Sequence, residues 1–114
     1  MSGLVPKLLY IGNQQSGPVY EAPSAPGSYS IVKSINVANT VTTTEFFSLN
    51  LVESGQQAGV SNVIVGNIVM SGANVFSYET SIVMPSGSTL QVTQPNTNLT
   101  FTISGVEFES SGGE

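Results

Sequence analysis

The feature that most constrains this chain is an alternation of apolar and polar residues with a period of two. The alternation occurs in five separate segments, which span residues 29–40, 47–53, 76–84, 90–92 and 99–104. A period of two places successive side chains on opposite faces of a strand, whereas an amphipathic helix needs apolar residues three and four positions apart. The helical pattern does not occur in any window of the sequence. We therefore expect a chain built from β-strands.

The first of these segments contains an exception to its own pattern. One parity is apolar at Tyr29, Ile31, Ile35 and Val37, and Lys33 falls on that same parity. Either a bulge turns Lys33 outward, or the residue lies near a sheet edge and extends its amine to water along its methylene stem. The sequence leaves both explanations open.

Residues that favour turns separate the strand segments. Combinations drawn from Gly, Pro, Asn, Ser and Thr stand at 39–40, 54–55, 71–72, 85–87 and 95–96. These residue types adopt or fix the backbone angles that turns require. The segment 63–70 is also assigned to a strand, because it is rich in β-branched residues. About seven or eight short strands with frequent turns predict an all-β chain, an antiparallel β-sandwich that is immunoglobulin-like or a jelly roll.

The N-terminal part of the sequence differs from the remainder. Its first 28 residues contain four of the six prolines, and proline cannot donate a backbone hydrogen bond to a strand ladder. We interpret residues 1–28 as an extended N-terminal arm and irregular edge. Residues 29–109 then form the sandwich domain, and residues 110–114 form a flexible C-terminal tail.

The apolar residues of the arm are its candidate interface. They are Leu4, Val5, Leu8, Leu9, Tyr10, Ile11, Val19 and Tyr20. Because side chains this apolar are poorly suited to a free tail, the arm is expected to dock on its own sandwich or on a neighbouring subunit. Docking on a neighbour would add a strand to an exposed sheet edge. It would also make the protein a homo-oligomer, with a trimer favoured.

The charged residues are few and mostly of one sign. Seven Glu, two Lys and no Arg, His or Asp give a formal net charge of -5. Two lysines cannot neutralise the several phosphates on which nucleic-acid affinity depends, so binding to nucleic acid or to an anionic membrane is not expected. Without His, Cys or Asp, the familiar nucleophilic triads and thiolate metal sites cannot be built. We expect no enzymatic activity, no cofactor and no metal.

Two residue sets need a structural and a functional interpretation side by side. Glu107 and Glu109 lie on one strand face and could bind Ca²⁺, but a solvated face explains them better, because the alternating oxygen ligands of a calcium loop are missing. The four tyrosines could stack on a sugar, although core and interface positions are the commoner reason for such a set. They are Tyr10, Tyr20, Tyr29 and Tyr78.

Four stretches of the chain share their pattern with a known family. They are Val-Tyr-Glu-Ala-Pro at 19–23, the strand-like segment 29–40, the strand, turn and strand at 82–92, and the Gly-Val-Glu-containing segment 101–108. Together they resemble small β-sandwich virion proteins of tailed bacteriophages. Few charges and few edge-protecting lysines also suit a subunit whose surface is covered by others in an assembly.

The resemblance implies a structural virion protein. We expect a capsid decoration (cement) protein that binds and stabilises the outer shell through the major capsid protein or other virion subunits. It would be located in the virion, after synthesis and assembly in the host cytoplasm. The alternative is a tail, collar or head-fibre accessory protein. A carbohydrate-binding β-sandwich is the alternative from a different functional class.

Overall fold

The computed structural model describes residues 5–110, which contain eight β-strands and no helix. The strands are β1 (Val5–Gly12), β2 (Ser16–Glu21), β3 (Tyr29–Asn39), β4 (Glu45–Val52), β5 (Val63–Met70), β6 (Asn74–Pro85), β7 (Thr89–Thr93) and β8 (Leu99–Phe108). The strand assignment of residues 63–70 is confirmed by β5. Within the described range no helix could cross a membrane. Leu4 and residues 111–114 of the predicted tail lie outside that range.

The strands form two antiparallel sheets of four strands each, which confirms the predicted β-sandwich. Sheet 1 has the order β1-β8-β3-β6, and sheet 2 has the order β2-β7-β4-β5. The pairs β1 with β8, β2 with β7, β3 with β6 and β4 with β5 are nested in sequence, as in one long hairpin folded over into two sheets. This order is that of a jelly roll. An immunoglobulin-like sandwich would instead pair its first two strands with each other.

The core lies between the sheets and is built from one face of the predicted alternation. On β8 the side chains of Leu99, Phe101 and Ile103 are fully buried. Thr100 and Thr102, which stand between them, are half-buried. The parity predicted for this strand is therefore confirmed.

Aromatic packing joins the two sheets at the centre of the core. The ring of Phe47 on β4 makes edge contacts with Phe101 on β8 and Phe76 on β6, at centroid distances of 5.5 and 5.6 Å. Each such pair contributes about 0.5–1.5 kcal/mol beyond the area that it buries. The sandwich is therefore held by phenylalanines from strands of both sheets.

Lys33 lies in a β-bulge on β3. The pairing of β3 with both β6 and β8 shifts between Val32 and Ser34, and the Lys33 side chain is exposed. Its ammonium donates a hydrogen bond of 2.6 Å to Ser81 Oγ on β6. Because β3 is an interior strand of sheet 1, the bulge explains Lys33 and a position at the sheet edge does not.

The bulge also exchanges the two faces of β3 toward its N-terminal end. Ser30 and Val32 are fully buried there, whereas Tyr29 and Ile31 face outward and are half-buried. The prediction that Tyr29 and Ile31 share the buried parity is therefore wrong, because one extra residue reverses the alternation on one side of a bulge. Beyond the bulge the predicted parity holds, and Ile35 is fully buried.

The segment interpreted as an arm supplies one edge strand to each sheet of its own chain. β1 pairs with β8, and β2 pairs with β7. Each strand contains a proline and a shift of register, at Pro6 and near Leu9 in β1 and at Pro18 and near Val19 in β2. An edge strand tolerates both features, because one of its sides needs no partner. In the structure this segment docks on its own sandwich.

Two buried amide side chains fasten the loops at one end of the sandwich. Gln94, between β7 and β8, donates from Nε2 to the carbonyl oxygen of Gln14 at 2.9 Å. Asn39, at the end of β3, donates from Nδ2 to the carbonyl oxygens of Thr43 and Ser71 at 2.9 and 3.0 Å. These bonds tie the β1–β2 connection to the β7–β8 connection, and the β3–β4 connection to the β5–β6 connection.

Candidate assembly surface

The structure divides the candidate interface residues of the N-terminal segment between core and surface. Those that pack against the core are Leu9, Tyr10, Val19 and Tyr20. Leu8 and Ile11 face solvent, with 53% and 61% of their surface exposed. Val5 begins β1 opposite Glu107, and Leu4 is outside the described residues. The segment therefore contributes more to its own fold than to the outer surface.

A polar cluster joins β1 and β2 to the interior strands. Lys7 on β1 forms an ion pair with Glu107 on β8, with 2.8 Å between Nζ and Oε1. The Tyr20 hydroxyl on β2 donates a hydrogen bond to the other carboxylate oxygen of Glu107 and lies 2.6 Å from Ser30 Oγ on β3. Glu109, the second member of the carboxylate pair, is exposed. Glu107 thus links both sheets at the side where β1 and β2 lie.

Hydrogen bonding and burial shift the ionisation of this cluster. Hydrogen bonds from Lys7 and Tyr20 hold the pKa of the Glu107 carboxyl below its ordinary value, although partial burial opposes them. Burial of the Tyr20 hydroxyl and its hydrogen bond to Glu107 raise the pKa of Tyr20. Both shifts move these groups away from neutrality, so the cluster is arranged to stabilise the fold and not to exchange protons near pH 7.

We expect Glu107→Gln to reduce the loss of stability in acid. A carboxyl whose pKa is lowered in the folded state stabilises the fold at pH values above its pKa in the unfolded state, which is about 4.3 for Glu. It loses that contribution as the pH falls through the folded-state pKa. Between about pH 6 and about pH 3, the melting temperature of the parent protein should therefore fall further than that of Glu107→Gln.

The matched control for this titration is Glu53→Gln, which makes the same charge change at an exposed position after β4. Its melting temperature should follow the parent curve. If Glu107→Gln also followed the parent curve, the Lys7–Glu107–Tyr20 cluster would not be a source of acid sensitivity.

Sheet 1 carries apolar residues in two rows across its outer face. The first row, from β6 to β1, consists of Val83, Ile31, Val106 and Pro6. The second row consists of Pro85, Tyr29 and Phe108. Residues directly opposite in a sheet share a face, and Val32 and Met84, the inward neighbours of Ile31 and Val83, are fully buried. Both rows therefore face outward, and we call these seven residues the outer patch.

The outer patch is accessible and has a polar border. Val83 is 57% exposed, and the rings of Tyr29 and Phe108 stack with their centroids 5.3 Å apart. Farther along the same face, Asn36 pairs with Thr102, so the apolar rows give way to polar ones. A continuous apolar patch with a polar rim is typical of a surface that binds another protein.

The four tyrosines do not share one face. Tyr10 and Tyr20 pack against the core from opposite sheets. Tyr29 belongs to the outer patch, and Tyr78 lies on the edge strand β6. The rings therefore do not form the common platform that stacking on a sugar would need. In the described part of the chain, no group of three or more acidic, His or Cys residues is placed to hold a metal ion.

The alternation of the sequence does not by itself reveal the outer patch. It assigns Tyr29 and Ile31 to the core, and the bulge at Lys33 is what turns them outward. Lys33 is also the signal that could have located the patch, since a charge on an apolar parity indicates that the alternation changes phase there.

Comparison with known proteins shows a likeness of fold. No family model matches the chain, and no curated protein matches it. A chain in the structure of infectious bursal disease virus, Gx strain, aligns with a TM-score of 0.55 and 12% sequence identity over 98% of this chain. This chain spans 33% of the length of the viral one. At that identity the likeness establishes a shared fold, so the sandwich has a counterpart in a chain of a virus.

Proposed function

We propose that this protein is a structural component of a virus particle and binds other virion subunits through the outer patch. The outer patch carries the proposal, because one of its rows crosses all four strands of sheet 1, the other crosses three, and both face away from the core. Contacts within the described chain leave this face open to solvent at Val83. A surface of this kind gains free energy when another protein covers it.

The fold supports the same proposal. Jelly-roll sandwiches occur in viral capsid domains and in lectins, and the structural counterpart belongs to a virus. The four tyrosines lie on different faces, which argues against a lectin, because stacking on a sugar needs aromatic rings on one face. Fold alone does not assign function, and so the outer patch remains the main argument.

The finer proposal is a capsid decoration (cement) protein of a tailed phage, whose partner is the major capsid protein. The resemblance of segments 19–23, 29–40, 82–92 and 101–108 to phage virion proteins supports it. The geometry of sheet 1 suits this role, because a broad patch on one face lets the sandwich lie flat on a shell. The few charges on the chain reduce the number of ionic groups that such binding would have to desolvate.

Binding to shells stripped of accessory proteins tests the role of the outer patch. Val106→Glu places a carboxylate in the middle of the patch, and we expect it to weaken shell binding at least about tenfold, because the interface would bury an unpaired charge. Thr93→Glu makes the same charge change at an exposed position of β7 in sheet 2 and should bind like the parent. Thermal melting of both variants verifies that they are folded.

The outcomes separate the possible functions. If Val106→Glu bound shells as tightly as the parent, the outer patch would not be the contact surface. Parent protein that bound isolated tails or collars and not shells would overturn the decoration role in favour of a tail, collar or head-fibre accessory. A monomeric protein that bound glycans and no virion part would overturn the structural role altogether.

A further inference from the structure

The four edge strands of the sandwich differ in how well they could pair with another strand. β1 and β2 each contain a proline and a shift of register. β5 has two shifts of register against β4, and its Asn67 has a positive φ of 47°. Prolines, bulges and twisted backbone all hinder the addition of a further strand. Three of the four edges therefore combine at least two of these features.

β6 is the least interrupted of the four edges. It has a single shift of register against β3, where residues 80 and 81 stand opposite Lys33. It runs for 12 residues, from Asn74 to Pro85, with proline only at its last position. Its side chains alternate between the two faces along most of this length. It ends sheet 1, so the described strands leave its outer side without a strand partner. Val75, Tyr78 and Val83 on this strand are exposed apolar residues, and an edge of this kind is prone to recruit another strand.

We propose that β6 pairs antiparallel with β6 of a second copy of this chain, about a two-fold axis at Thr80. The two copies of sheet 1 then form one continuous eight-stranded sheet. Such an interface is isologous, because each copy contributes the same strand. The proposal concerns the isolated protein and does not depend on the virion role.

The charges beside β6 determine this register. The Lys33 ammonium is held on Ser81 by its hydrogen bond of 2.6 Å. Glu79 lies two residues before Ser81 on the same outer face, opposite Ser34 of β3. With Thr80 at the axis, Glu79 of each copy stands directly opposite Ser81 of the other copy. The Glu79 carboxylate of each copy then lies next to the Lys33 ammonium of the other copy. Because of the two-fold symmetry, this contact occurs twice.

The neighbouring registers oppose like charges. An axis at Glu79 would place the two Glu79 carboxylates directly opposite one another, and an axis at Ser81 would bring the two Lys33 ammonium groups together. Like charges directly opposite on adjacent strands are destabilising, whereas unlike charges are favourable. Charge complementarity therefore selects Thr80 as the axis and a second copy as the occupant of the edge.

The inward face of β6 fits the same pairing. Tyr78 and Phe76 line an apolar cleft of about 250 Å³ between β6 and β5, together with Ile64 and Ile68. With Thr80 at the axis, Tyr78 of one copy stands opposite Ile82 of the other. The ring of Tyr78 and the side chain of Ile82 are apolar. The pairing therefore buries apolar surface beside the cleft, in addition to forming the backbone hydrogen bonds of the new ladder.

This two-fold contact differs from the trimer expected from the sequence. The trimer depended on an arm that pairs with a neighbouring subunit, whereas β1 and β2 pair with β8 and β7 of their own chain. The β6 contact leaves both strands in place. It also puts the outer patches of two copies on the same side of one sheet, where they could contact a common partner.

Single cysteines test the position of the axis, because the chain contains no other cysteine. A residue on the axis faces its own copy at a Cα separation of about 4.5–5.5 Å, which suits a disulfide. Under mild oxidation, we expect Thr80→Cys to form a covalent dimer at least about tenfold faster than Glu79→Cys or Ser81→Cys. Faster cross-linking of either neighbour would overturn the register.

Sedimentation velocity of the parent protein tests the pairing itself. We expect a concentration-dependent monomer–dimer equilibrium, and Glu79→Lys should raise the dissociation constant about tenfold. The double variant Lys33→Glu with Glu79→Lys should return it close to the parental value, whereas the remote control Glu53→Lys should leave it unchanged. A parent that stays monomeric, a trimer, or a double variant weaker than Glu79→Lys would overturn the proposal. These measurements use no virus particles, so their failure would leave the proposed virion role untouched.

Discussion

Phe101→Ala is expected to lower the free energy of unfolding by about 3–5 kcal/mol. The Phe101 side chain is fully buried at the centre of β8, and its ring contacts Phe47 of the opposite sheet at a centroid distance of 5.5 Å. Truncation removes this apolar surface from the core and leaves a cavity that the two sheets can fill only in part. A domain of this size has a total stability of about 5–15 kcal/mol, so the loss is a large share.

Thr100→Ala is the matched control, one residue earlier on the same strand. Its side chain is half-buried on the outer face of sheet 1, and we expect a change within about 0.5 kcal/mol. Chemical denaturation of both variants gives the comparison. If Thr100→Ala were the more damaging change, β8 would present the opposite face to the core, because a shift of one residue exchanges the faces of a strand.

Gly105→Ala is expected to cost about 3 kcal/mol, at the upper end of the range for overpacking. Gly105 lies on β8 opposite Val32, beside the bulge of β3. A Cβ at this position would be 2.0 Å from the carbonyl oxygen of Ile31 and 3.2 Å from the Cα of Val32. Because these atoms belong to the backbone, rotation of a side chain cannot relieve the overlap, and the two strands must separate.

The control for this substitution is Gly59→Ala. An added Cβ at Gly59 meets no atom within 4 Å, and the substitution reduces the entropy of the unfolded chain. We expect a change within about 1 kcal/mol of the parent stability. Similar stability of Gly105→Ala and the parent, measured by thermal and chemical denaturation, would mean that β3 and β8 are not packed as closely as the structure places them.

The strands with regular alternation could be predicted from the sequence, because burial of one face imposes a period of two. The faces near Lys33 could not, since a single extra residue reverses the period without a distinctive sequence pattern. The alternation places Ile31 in the core, whereas the bulge turns it outward into the patch. The alternation of apolar residues therefore locates the strand correctly but assigns the wrong face of it to the core.

The positions of β1 and β2 depended on contacts that are distant in sequence. Pro6 and Pro18 argued for an arm or an irregular edge, and an edge strand needs partners on one side only. Lys7 also forms an ion pair with Glu107, which lies 100 residues later in the sequence. No local pattern indicates this contact. The outer patch has the same character, because it combines residues from four strands that are neighbours only after the jelly roll has formed.

The role as a virion component is tested most directly by counting copies of this protein in purified virus particles. Quantitative mass spectrometry of particles purified from a culture that produces this protein, with the major capsid protein as internal standard, gives that count. We predict a fixed ratio of this protein to the capsid protein, which persists through density-gradient purification and falls when accessory proteins are stripped. Absence of the protein from purified particles, with its presence in the lysate of the same culture, would contradict the role.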